Sequence, residues 1–146
     1  MSGTLYLVAT PIGNLNDLSP RVKSIFEKVD LILAEDTRVT IKLLNHLSVK
    51  KRMLSCHDFN EKSRLKIISE FNNLNQSIAL VSDAGTPLIS DPGYEIVRQA
   101  ITQNMDIIPI PGPALVYSLS RLVDCHVIDL YLKGSFPPSK VCFKKN

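Results

Sequence analysis

Two short runs, Leu31-Ile32-Leu33-Ala34 and Ile78-Ala79-Leu80-Val81, are apolar at every position. A strand with one wet face alternates apolar and polar side chains. A strand that is apolar on both faces has to be covered on both. These runs therefore call for a sheet with a layer of helices on either side, and the chain between them supplies the helices. Leu5–Ala9 reads as the first strand. Ser19 is placed to cap a helix with Pro20 in its first turn and Val22, Ile25, Phe26 and Val29 as its buried face. After the second strand, Leu31–Ala34, Thr37 is expected to cap a helix that turns Ile41, Leu44 and Leu47 inward. Arg52–Ser55 reads as a weaker third strand, followed by a helix capped by Asn60 with Leu65, Ile68 and Phe71 inward. Ile78–Val81 is the fourth strand. The next helix begins near Tyr94 and carries Ile96, Val97, Ala100 and Ile101, and Asp106–Ile110 is the fifth strand. Pro111-Gly112-Pro113 then turns the chain into a helix from Ala114 to about Leu122. The expected fold is α/β: a five-stranded, mainly parallel sheet with helices on both faces and right-handed crossovers.

The expected domain spans residues 1–122. Val127–Leu132 breaks the alternation as a further strand, and Gly134–Lys140 reads as linker, so residues 123–146 are expected to be a linker and the start of a second domain. A length of 146 residues suits one domain, and 45% hydrophobic against 21% charged residues excludes a disordered chain. The net charge of +3 permits a nucleic-acid partner without requiring one. Cys56, Cys125 and Cys142 are odd in number and form no CxxC, and no secretory apolar stretch opens the chain. The expectation is a reducing, cytoplasmic setting with no membrane segment. His46, His57 and His126 have no partner at metal-ligand spacing, so no metal site is expected.

In such a sheet the loops that follow the strands gather at one edge, where open α/β sheets bind ligands. Here they are rich in functional side chains. The segment Ser82–Gly93 is the longest, with Asp83 and Asp91, two glycines, two prolines and three hydroxyl side chains. A turn alone does not require two carboxylates or so many residues; ordering them costs entropy that a ligand or partner offsets. The others are Thr10–Asp17, Glu35–Arg38, Cys56–Glu61 and Pro109–Ala114. Any one of them is compatible with a plain turn or cap, and it is their convergence on one edge that argues for a site. No GxGxxG follows the first strand and no GxxxxGK[ST] occurs, which argues against a standard dinucleotide fold and a P-loop. Gly-Thr-Pro in the fourth loop and Pro-Gly-Pro in the fifth instead offer backbone groups suited to adenine, ribose and a carboxylate.

Thr10-Pro11-Ile12-Gly13-Asn14-Leu15, Ala34-Glu35-Asp36-Thr37-Arg38, His57-Asp58 with Asn60-Glu61, Ser82–Gly93 and Pro109–Pro113 occur in this order and spacing. Together they resemble the small-subunit rRNA methyltransferase I family of the tetrapyrrole-methylase-like superfamily, over roughly residues 3 to 140. The resemblance implies transfer of a methyl group from S-adenosylmethionine to the ribose 2′-hydroxyl of a cytidine in the decoding region of 16S rRNA, on the small ribosomal subunit. It also implies two α/β domains, a cofactor folded between them, and a homodimer. By resemblance, Pro11, Gly13, Asp83, Gly85, Thr86, Pro87 and Leu88 line the cofactor cleft, and Gly112, Pro113 and Ala114 complete it. Glu35 and Arg38 face the RNA, and Asp36, His57 and Asp58 are candidates for the catalytic base.

The sequence departs from the family in two respects. Ala114-Leu115-Val116 stands where the family more usually has a serine or cysteine and small residues, so Leu115 is expected to crowd the cofactor. The family also continues into a complete second domain, so this chain reads as a truncated member. The alternative expectation is a non-catalytic remnant with residual cofactor or RNA binding. A tetrapyrrole methylase is a third reading, disfavoured by the Glu35–Arg38 and His57–Glu61 loops.

Overall fold

A computed structural model describes residues 2–57, 60–88 and 92–113. The chain divides into two compact units, Met1–Ala114 and Leu115–Asn146. The expected helix from Ala114, the strand at 127–132, the linker and the boundary at 122/123 lie outside the described residues.

Within the first unit, β1 (Thr4–Val8), β2 (Leu31–Ala34), β3 (Met53–Ser55), β4 (Ser77–Val81) and β5 (Asp106–Ile110) alternate with α1 (Pro20–Lys28), α2 (Thr37–His46), α3 (Glu61–Asn73) and α4 (Tyr94–Thr102). A short 3-10 turn, Leu15–Asp17, precedes α1. All pairings are parallel and the strand order is β3-β2-β4-β1-β5. The α/β architecture expected from the sequence is the one observed.

The two apolar runs behave as their composition requires. In β4, Ala79 and Val81 join one core with Val22, Phe26, Leu43 and Leu44, under α1 and α2. Ile78 and Leu80 join the other with Ile68, Ile96 and Ala100, under α3 and α4. In β2, Ile32 and Ala34 enter the first core and Leu31 and Leu33 the second. Period-2 alternation thus feeds two hydrophobic layers from one strand.

The helix faces differ from expectation at three points. Asp36, not Thr37, is the N-cap of α2, its carboxylate accepting the Arg38 backbone N–H at 2.8 Å. A capping carboxylate takes that N–H when it stands one residue before the first turn, and Thr37 falls inside the helix. The buried stripe of α2 is Thr40, Leu43 and Leu44, whereas Ile41 is exposed. Ile101 is exposed on α4, which buries Ile96 and Ala100. Ser19 and Asn60 hold the N-cap positions of α1 and α3 without a side-chain cap bond.

The connection from β1 leads to α1, on one face. The connection from β4, its neighbour, leads to α4, on the other. Adjacent strands whose loops part to opposite faces open a crevice at their carboxyl ends. Here that crevice is closed at its base by an isolated antiparallel bridge between Thr10 and Gly85.

Candidate functional site

The bridge is built from both backbones: Thr10 N–H donates to the Gly85 carbonyl at 2.8 Å, and Gly85 N–H to that of Thr10 at 3.0 Å. The Thr10 hydroxyl donates to the Ser82 carbonyl, and the Ser82 hydroxyl to that of Gly85. Gly85 has φ +84°, a left-handed conformation that a Cβ disfavours. Gly112 packs so close to Ala9 that a Cβ there would stand 2.8 Å from the Ala9 Cβ. Glycines 85 and 112 therefore draw the loops after β4 and β5 against the end of β1. The backbone N–H groups of Thr86, Leu88 and Gly112 have no partner among the described residues. Leu88 also adopts a positive φ of 74°, a strained setting for a branched side chain.

Beside the Thr10–Pro11 segment lies an open cavity of about 280 Å³. Thr10, Pro11, Gly13 and Leu15 form the β1 wall, and Ser82 and Asp83 the floor. Helix α2 supplies Val39, Thr40, Lys42 and Leu43. The residues expected to line one cofactor cleft are thus divided. Pro11, Gly13 and Asp83 face this cavity; Gly85, Thr86, Pro87, Leu88, Gly112 and Pro113 are not among its walls. Ala114 and Asp58 lie outside the described residues.

Carboxylates join the ends of β2 and β4. Asp83 Oδ1 accepts the Asp36 backbone N–H at 3.0 Å, and Glu35 Oε2 accepts the Asp83 backbone N–H at 3.1 Å. Glu35 is therefore committed to positioning Asp83. Arg38 Nε and Nη2 grip the Asp36 carboxylate, the shortest contact being 2.6 Å. The guanidinium and the Arg38 backbone N–H hold the Asp36 carboxyl down to about 2. A base that weak is poorly matched to proton abstraction near neutrality, so the geometry makes Asp36 a cap and an anchor for Arg38.

The sign of this shift predicts an acid sensitivity. A depressed carboxyl contributes stability that is present above its ordinary value of 3.8 and is lost as pH falls through about 2. Between those values, chemical denaturation midpoints are expected to fall more steeply for the wild type than for Asp36→Asn, with the difference reduced in high salt. Parallel profiles would show that the pair contributes nothing to folding.

His57 is occupied as well. Asn60 Oδ1 accepts the His57 backbone N–H at 2.9 Å, and its Nδ2 reaches the Ser55 carbonyl at 3.2 Å. These backbone partners fix which end of the amide is which. Asn60 Nδ2 also lies 3.0 Å from His57 Nε2, within hydrogen-bonding reach. These contacts tie His57 to Asn60 in the loop before α3. Glu61, from the same segment, is buried and accepts the Ile96 N–H at 3.1 Å, capping the first turn of α4.

Thr40, Lys42, Val39 and Leu43 line the cavity but were not singled out by the sequence motifs, whereas Leu15 closes the first of those motifs. Thr40 carried a signal: a hydroxyl in the apolar stripe shared with Leu43 and Leu44. No group of three or more potential metal ligands occurs among the described residues. None of the described helices is long and apolar enough to cross a membrane.

This arrangement has known relatives. The chain is 52% identical over 112 residues to "Ribosomal RNA small subunit methyltransferase I" of Pasteurella multocida (strain Pm70), covering 77% of this chain and 40% of the relative. It is 40% identical over 142 residues to the protein of that name from Escherichia coli O157:H7, covering 97% of this chain and 46% of the relative. The chain thus spans less than half the length of these two relatives. The crystal structure of uroporphyrin-III-C-methyltransferase from Thermus thermophilus superposes with a TM-score of 0.59 at 18% identity, over 84% of this chain and 53% of that one. At that identity the likeness shows the shared fold alone. The pattern of the family described as Tetrapyrrole (Corrin/Porphyrin) Methylases matches residues 4–123, which take in every strand, helix and loop of the crevice, and the chain belongs to that family.

Proposed function

We propose that the chain acts in S-adenosylmethionine-dependent methyl transfer to the ribose 2′-hydroxyl of a cytidine in 16S rRNA. The small ribosomal subunit would be its substrate, in the cytoplasm, with a homodimer as the working form. The observation that carries this reading is the crevice at the strand ends: glycine-built loops after β4 and β5 drawn against the end of β1, and a cavity beside it that Asp83 lines. The names borne by relatives of 40–52% identity support RNA as the acceptor.

The residues fit the cofactor. The left-handed Gly85 and the close approach at Gly112, with unpartnered N–H groups on Thr86, Leu88 and Gly112 among the described residues, suit the adenine, ribose and carboxylate of such a molecule. When bound, it supplies a methyl group already activated by a sulfonium, so no metal is required for the transfer. What remains for the protein is largely positioning. Asp83 is the one carboxylate lining the cavity among the described residues. Its Oδ1 is held by the Asp36 N–H, and its Oδ2 has no partner among those residues. Asp83 is therefore our candidate to accept the ribose hydroxyl proton, with Glu35 and Asp36 holding it in place.

Calorimetric titration of the purified chain with S-adenosylmethionine is expected to show micromolar binding. Incubation with labelled cofactor and small subunits lacking the modification should then place label in 2′-O-methylcytidine after nucleoside digestion. Label on a base, or transfer to a porphyrin acceptor in place of RNA, would sink this reading.

A further inference from the structure

The cavity has three features that the methyl donor does not explain. Thr40 is 2% exposed, and its hydroxyl has no hydrogen-bond partner among the described residues. A buried polar group without a partner is costly, and threonine in a helix has two accessible rotamers for its hydroxyl. Lys42 is exposed and makes no ion pair or hydrogen bond among the described residues. Leu15 and Val39, at 46% and 39% exposure, are large apolar walls lacking a cover.

An apolar slot, one buried hydroxyl and one unpaired ammonium match a heterocycle carrying a phosphate. The volume of about 280 Å³ falls just below the usual range of ligand pockets, about 300–1,000 Å³. That suits one nucleoside, not a stacked helix or a tetrapyrrole macrocycle. The glycine loops that suit the donor adjoin the Thr10–Pro11 segment through the Thr10–Gly85 bridge and are not among the walls of this cavity, which leaves the cavity to a second molecule.

We propose that this cavity is the acceptor pocket. It receives a single unstacked RNA nucleotide, with the base between Leu15 and Val39, the Thr40 hydroxyl bonded to the nucleotide, and Lys42 on its phosphate. The inference rests on the reading that an RNA nucleotide accepts the methyl group.

The test is titration of the purified chain with cytidine 5′-monophosphate followed by NMR, beside calorimetry with S-adenosylmethionine. Thr40→Val removes the hydroxyl at nearly constant shape and is expected to weaken nucleotide binding about fivefold. Its melting temperature should be no lower than that of the wild type, because the lost hydroxyl had no partner among the described residues. Lys42→Met is expected to weaken binding about tenfold, and that loss should vanish when cytidine replaces the monophosphate. Neither variant should change cofactor affinity. Competition between nucleotide and cofactor, or equal loss of both in the variants, would overturn the proposal by making the cavity the donor's. Cofactor binding without nucleotide binding at ~10 mM would overturn the pocket and leave the methyl-transfer reading standing. Failure of both ligands to bind the folded chain would overturn both.

Discussion

Gly93→Ala is expected to destabilise the domain by about 2–5 kcal/mol, the sum of backbone strain and overpacking. Gly93 has φ +123°, where an L side chain is strained. An added Cβ would stand 2.6 Å from Leu80 Cδ2 and 3.1 Å from Leu88 Cδ2. Leu80 is buried in the core under α3 and α4 and has little room to retreat. Thermal melts followed by circular dichroism should show a fall of roughly 10 °C or more. Gly13→Ala is the control. Its φ is +135°, but nothing lies within 4 Å of the added Cβ, so only strain of about 1 kcal/mol is expected. Equal losses in the two variants would show that the Leu80 contact is irrelevant. A Gly93→Ala protein as stable as the wild type would refute the left-handed entry into α4.

Asp83→Asn is expected to lower kcat about 100-fold or more while leaving cofactor affinity within about twofold, as for loss of a general base. The amide keeps an oxygen for the Asp36 N–H and keeps the backbone N–H that Glu35 accepts, so the join between β2 and β4 survives. Only the charge is removed. Asp83→Ala should lose the Asp36 bond as well and reduce thermal stability, giving a structural readout that the amide variant does not share. If Asp83→Asn instead weakens S-adenosylmethionine binding with kcat unchanged, the carboxylate serves the donor's positive charge and the base lies elsewhere. Normal kinetics in both variants would remove Asp83 from the mechanism.

The two strands apolar on both faces were enough to specify a sheet covered on both sides. Their side-chain alternation even determines which residue enters which layer. Helix start signals were partly legible: Pro20 stands in the first turn of α1 as its fixed φ favours. The side-chain partners of Asn60 and Asp36 were not. Asn60 was expected to cap and instead reaches His57 and Ser55, because the preceding loop brings those backbone groups closer. Asp36 and His57 looked like bases by residue type. Whether a carboxylate or imidazole is available depends on its neighbours, and here Arg38 and Asn60 engage them.

The sequence by itself determined the layered α/β fold and the loops that meet at the carboxyl edge, since hydrophobic periodicity and turn residues are local properties. Only the tertiary structure decided the strand order, which inserts β4 between β1 and β2 and so sets the crevice beside Asp83. Only it set Pro11, Gly13 and Asp83 around a cavity that Gly85, Thr86 and Gly112 do not line, and added Thr40 and Lys42. Those outcomes depend on distances between residues far apart in the chain, and spacing along a sequence does not encode them.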